Sequence, residues 1–262
     1  MSKTKQLFAL FQFSQTMNFY VWIIAFMTAI PYLIFVFDRS SYSPSLSLLT
    51  SNQTYYFIMF YGAGLVLPEL SIFGFKNQAT GGGADFLLTR AVDRHLVFRA
   101  RSALFYFVVV IIPGLAFLCA LSFPELRVSE YDKLVRDAIL THIDGAQYHR
   151  EGYSDILTIP HGHALVAAWS LFCGIFLVLM TQTVLVLLAR VPFRTFIFFA
   201  LTFSIVFSPL FVFSRSSIHS INFTENAFLH FAQHPVLWTS LLAVAVVASQ
   251  LWCERRFRKM EL

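Results

Sequence analysis

His161-Gly162-His163 sets two imidazoles two residues apart, with Glu151 and Asp155 shortly upstream. Imidazole with carboxylate support suits zinc or copper, so His161 and His163 are the metal candidates of this chain. His142, His149, His219, His230 and His234 fall in the same two polar stretches, 124–163 and 214–234. A simpler reading has these seven histidines capping loops and meeting lipid headgroups, with no metal bound. Glu69, directly after Pro68, is the one carboxylate inside a long apolar run. An ionisable group at a bilayer midplane costs about 2.5–3.5 kcal/mol and often marks function. Glu69 lies towards the end of its run, however, where an interfacial role or a pairing with Arg90 or Arg94 is favoured over proton transfer. No Asp-Asp, His-Glu or Ser-His constellation lies within the apolar runs, so the chain is expected to have no enzymatic activity.

The densest chemistry is in GGGADFLLTRAVDRHLVFRAR, residues 81–101. Its triple glycine is not a phosphate loop: no Lys-Ser or Lys-Thr follows at the required distance to hold phosphate and magnesium. Gly81, Gly82 and Gly83 instead break the preceding helix, since glycine loses the most backbone freedom on becoming helical. A short amphipathic helix can start near Ala84, with Asp85 in its first turn matched to the helix dipole. Phe86, Leu87 and Leu88 form an apolar knob, Thr89 to Arg94 turn the chain, and His95 to Arg101 lead into the next apolar run.

The elements that must position this segment follow from composition. Of 262 residues 57% are hydrophobic and 13% charged, with 31 Phe, against roughly 25% charged in an ordinary soluble domain. That deficit predicts an all-α integral membrane protein. A bilayer core needs about 20 apolar residues per helix, and six segments meet or approach this: 19–37, 55–75, 102–123, 163–189, 195–213 and 235–253. Prolines inside four of them are tolerated where neighbouring helices satisfy the freed carbonyls. Cys119, Cys173 and Cys253 lie in or at the end of apolar runs without metal-ligand spacing and read as packing residues. The first 18 residues are too polar for a cleavable signal peptide. Leu7, Leu10, Phe11 and Met17 at helical spacing instead predict an interfacial amphipathic helix over 1–18. The domain organisation is therefore that helix followed by a six-span domain over 19–262.

Orientation follows from Lys and Arg. Thirteen fall in one set of loops and at the termini, and six in the opposite set. The positive-inside bias then makes both termini and residues 76–101 cytoplasmic, and loop 124–162 external. Basic residues so placed report topology, and no nucleic-acid partner is expected. Within the external loop Ser129 is the expected cap of a helix whose face carries Tyr131, Val135, Ala138, Ile139 and His142, ended by Gly145. In 214–234 Thr224 is the expected cap of a short helix whose Phe228 and Phe231 would dip into the outer leaflet.

The segment GGADFLLTRAVDRHLVFRARSALFYFVV resembles the cytoplasmic segment of permease subunits of the ABC-2 family of ABC transporters. The family pattern is close to Gly-Thr-Leu-Glu-x-Leu-Leu-Thr-Arg-Pro-Val-Ser-Arg. The matching positions are Gly82, Leu87, Leu88, Thr89, Arg90, Val92 and Arg94, with Asp85 where the family has glutamate. Ala91 and Asp93 replace the family's proline and serine, and the acidic-basic-acidic triplet before the glycine is replaced by Lys76, Asn77, Gln78, Ala79 and Thr80. The resemblance in six-span architecture extends over nearly the whole chain. It implies a permease half, in an exporter of the bacterial cytoplasmic membrane, with a coupling helix over 84–95. Gly82, Asp85, Phe86, Leu87, Leu88, Thr89, Arg90 and Arg94 would contact a dimer of separate ATPase subunits. ATP and magnesium would be bound there, and this chain would hold no cofactor. A second permease copy, identical or a sister chain, would complete the path, among membrane lipids. The length of loop 124–162 suggests a periplasmic protein as a further partner, or a lid. The alternative is a membrane scaffold, mechanotransmitter or sensor whose external loops bind a metal or protein.

Overall fold

The computed structural model describes residues 5, 6, 9, 94–123, 125–188 and 223–258. Most of the expected interfacial helix, the expected spans 19–37, 55–75 and 195–213, Glu69, and residues 76–93 lie outside the described residues.

Among the described residues three long helices dominate: α1 (Arg94–Ala120), then, beyond an intervening small-sheet region, α3 (Gly162–Leu188) and finally α5 (Pro235–Arg258). At 1.5 Å per residue the 27 residues of α1 or α3 extend about 40 Å. From Ser102 onward α1 has no charged residue, and α3 has no Asp, Glu, Lys or Arg. Gly162–Met180 and Pro235–Arg256 are long and apolar enough to cross a membrane. The expected spans 102–123, 163–189 and 235–253 fall on α1, α3 and α5 respectively, and α3 packs against both of the others.

Between α1 and α3 lies a folded cap where an external loop carrying one helix was expected. It comprises β1 (Glu125–Ser129), α2 (Lys133–His142), β2 (Gln147–Glu151) and β3 (Ser154–Pro160). The strands form one antiparallel sheet in the order β1-β3-β2, with Leu157 opposite both Val128 and Tyr148. The all-α expectation is corrected here. In ELRVS, Leu126 and Val128 are buried while Glu125 and Arg127 are exposed, the two-residue alternation of a half-buried strand. Gly152, with φ of 63°, is the first central residue of the tight β2–β3 turn, a position that favours glycine.

The cap has its own core. Leu126, Val128, Leu157 and Ile159 of the sheet meet Val135 and Ile139 of α2 and Val166 and Trp169 of the first turns of α3. A short helix, α4 (Phe223–Gln233), closes it with Phe228 and Phe231. Trp169 lies 6.0 Å from Phe228, edge to face, and 5.4 Å from Phe231. These two phenylalanines are 1% and 2% exposed, so they fill the protein core and do not dip into the outer leaflet. Burying each is worth about 1.5–3 kcal/mol.

Helix ends differ from expectation for identifiable reasons. Ser129 is held in the β1 ladder opposite Ile156, so it cannot cap α2. Asp132 does so instead, its carboxylate accepting the Leu134 N–H at 2.9 Å. Tyr131 consequently precedes the helix and is fully outside the core, 74% exposed. Gly145 lies beyond the Ile143 C-cap, in the turn towards β2. Thr224 is inside α4, which begins at Phe223. Gly162 starts α3 where a side chain would not fit: a Cβ there would lie 2.5 Å from the Leu126 Cβ.

Candidate functional site

The charged residues of the long helices gather at the end opposite the cap. His95 and Arg99 share one face of α1, one helical turn apart. Glu254, in the last turns of α5, receives both: His95 Nδ1 lies 2.7 Å from its Oε1, and Arg99 Nε donates to the same oxygen at 2.9 Å. Glu254 is 8% exposed, whereas the Arg99 side chain is 60% exposed. The carboxylate is thus sheltered while its arginine partner remains wet. An unpaired buried carboxylate would be costly, and the two neighbours supply the compensation.

One turn deeper, neutral hydrogen bonds continue the joint. Gln182 of α3 donates its amide N–H to the Ser102 hydroxyl of α1 at 3.0 Å, with both residues buried. The Thr183 hydroxyl of α3 lies 2.8 Å from that of Ser249 on α5. Such interhelical bonds average about 0.6 kcal/mol in membrane helices. Three side-chain joints therefore tie α1, α3 and α5 together at the end where α1 begins. Arg256, beside Glu254, lies over the Trp252 ring at 5.5 Å.

Arg94 is the first residue of α1, immediately before this joint. Gly82, Asp85, Phe86, Leu87, Leu88, Thr89 and Arg90 lie outside the described residues. Glu254 was missed in reading the sequence. Its signal was available: it is the only acid in α5, set directly before Arg255 and Arg256.

At the other end, the histidine pair is split by the turn into α3. His161 is exposed, with φ of 53°, while the His163 ring lies 5.6 Å from that of Phe123. Among the described residues no three His, Cys, Asp or Glu side chains converge as a metal site requires. The cap surface instead carries an ion network. Asp155 accepts from Arg136 at 3.2 Å and from the Tyr148 hydroxyl at 2.8 Å, and the Arg136 guanidinium lies 4.8 Å above the Tyr148 ring. The hydrogen bond to Asp155 pushes the Tyr148 phenol above its ordinary value. Glu151 bridges Arg127 at 3.3 Å and His149 at 3.2 Å, so that histidine and acid already serve each other.

No protein-family model, curated protein or solved structure matches the chain.

Proposed function

We propose that this chain is the membrane-spanning permease subunit of an ABC-2 type transporter, an exporter, driven by a separate ATPase that docks on residues 84–95. The observation that carries the reading is the order of residues 82–94: a helix breaker, an acid, an apolar knob, then Thr-Arg and a second Arg, directly before a long apolar helix. In the bilayer α1, α3 and α5 cross, the cap lies outside, and the Glu254 joint lies on the cytoplasmic side. Two permease copies form the path, and nucleotide binding draws the ATPases together to switch its access.

The joint supports this reading physically. A push on segment 84–93 arrives at Arg94 and His95, and Glu254 ties that point to the last span, so α1 and α5 move as one body. No nucleotide chemistry is needed in this chain; ATP and magnesium are handled by the partner.

The test is co-purification of the full chain with the ATPase and measurement of hydrolysis in the complex. Leu87→Asp removes the apolar knob and Arg90→Ala the following cation; each is expected to abolish the stimulation given by the permease. Unchanged turnover in both variants overturns the docking assignment.

A second reading, a mechanotransmitter or sensor moving no cargo through itself, is favoured by one observation: the cap has a folded core of its own. Deleting residues 125–160 would abolish that function while leaving ATPase stimulation intact.

A further inference from the structure

Helix α5 turns only one side to the rest of the protein. Leu242, Cys253 and Glu254 are buried on that side, where α3 and α1 pack against the helix. The opposite side is a continuous apolar stripe. Leu237, Val244, Ala248 and Leu251 fall on one helical face. All four are exposed, Val244 and Leu251 by more than half. Arg255, one turn beyond Leu251, ends the same stripe. At about 1.5 Å per residue the stripe from Leu237 to Arg255 is about 27 Å long, close to the roughly 30 Å of a bilayer's hydrocarbon core. Arg255 therefore falls at headgroup level when the helix spans.

The positive charge at this end is not neutralised within α5. Glu254 is the only acid of the helix, and it is buried towards α1, where His95 and Arg99 meet one of its oxygens. Arg255 and Arg256 are exposed, and among the described residues neither has an acidic partner. Arg256 lies 5.5 Å over the Trp252 ring, a contact that steadies the guanidinium and leaves its N–H edge for an anion. Ala248, small between Val244 and Leu251, makes the stripe a shallow groove that leads to these two arginines. A second copy of the chain packed in parallel on this face would set Arg255 against its own counterpart with no acid between them. Like charges repel, so the face is complementary to a negatively charged occupant.

We infer that this face of α5 binds an anionic phospholipid. The acyl chains lie along Val244, Ala248 and Leu251, and the headgroup phosphate meets Arg255 and Arg256 beside Trp252. A planar guanidinium offers phosphate two parallel N–H donors. An apolar helix face alone is indifferent to the headgroup above it; the two unneutralised arginines make this one selective for net negative charge. The cytoplasmic leaflet, where the proposed topology puts this end, supplies anionic lipids. The inference rests on α5 spanning the bilayer and is independent of the ATPase.

The probe is dioleoyl-phosphatidylglycerol, titrated against the full chain in a neutral detergent and read by native mass spectrometry. Dioleoyl-phosphatidylcholine, zwitterionic with identical tails, is the control and should be retained more weakly. Arg255→Gln and Arg256→Gln should each weaken phosphatidylglycerol binding about fivefold, the effect of one cation beside an anionic headgroup. Neither should change phosphatidylcholine binding, and Arg255→Lys should keep most of the selectivity. Arg150→Gln, at an exposed arginine of the cap, should change nothing. Both α5 arginines are exposed, so the variants should fold, which circular dichroism checks. Equal retention of the two lipids overturns the inference, as does a loss from Arg150→Gln equal to that from the α5 variants. A lipid-independent dimer that Leu251→Asp disperses would also overturn it, by showing a second copy on this face. ATPase turnover unchanged in the Leu87 and Arg90 variants would end the docking assignment and leave this lipid selectivity standing.

Discussion

Glu254 gathers an arginine and a histidine on one sheltered oxygen, and its replacement separates charge from shape. Glu254→Gln keeps the acceptor but loses the charge, and is expected to cost about 1 kcal/mol, because Arg99 is largely solvent-exposed and its pairing is screened. A fall in thermal midpoint of the purified chain measures this. Under the transporter reading the same variant should also lower ATPase stimulation, since the coupling segment loses its tie to α5. Asp155 gives a second test at this scale. Its hydrogen bond raises the Tyr148 phenol, so the bond's contribution is complete below the ordinary value of 10.0 and is lost as pH rises through the raised one. Asp155→Asn should bring phenolate formation at Tyr148 to lower pH, visible in an ultraviolet titration as the difference between variant and parent.

Among the elements, the cap matters most, because its sheet and α2 are held by the same residues that begin α3. Phe228→Ala would leave a void among Trp169, Phe231 and the sheet. It should cost about 3–5 kcal/mol, read as early loss of the cap's near-ultraviolet signal on heating. Gly162→Ala acts at the joint between β3 and α3. A methyl group 2.5 Å from the Leu126 Cβ and 3.1 Å from the Ile159 Cβ forces strand and helix apart. The expected loss is about 1–3 kcal/mol by overpacking. The proline in α1 shows the opposite tolerance: the helix continues through Pro113 to Ala120.

For the whole molecule, the chain's two chemistries lie at opposite ends of α1, α3 and α5: the Glu254 joint with its basic neighbours at one, the folded cap at the other. If the three helices cross a bilayer, these ends are on opposite sides. A Tyr153→Cys label at the β2–β3 turn, where the residue is 99% exposed, should react with an impermeant maleimide in intact cells. Arg256→Cys should react only after permeabilisation. The reverse pattern would turn the coupling segment outward and end the transporter reading.

Hydrophobic runs without charge are legible from residue types alone, because burying or spanning demands apolar side chains wherever the neighbours lie. The 163–189 and 235–253 runs accordingly fall on α3 and α5. The basic bias of 76–101 and the pattern at 82–94 are equally local. The sheet was less visible: ELRVS alternates over only five residues, and QYHRE is nearly all exposed, so neither strand announces itself without its partner. Ser129 and Asp132 are both good caps by type, and only pairing with Ile156 removes Ser129 from contention. Phe228 and Phe231 read equally well as lipid-facing or core until Trp169 packs against them. Glu254 was an isolated acid in a basic run until α5 brought it 2.7 Å from a histidine 159 residues away. Composition and periodicity are properties of neighbours along the chain, whereas strand partners and ion pairs join residues far apart in it, and only the folded chain brings them together.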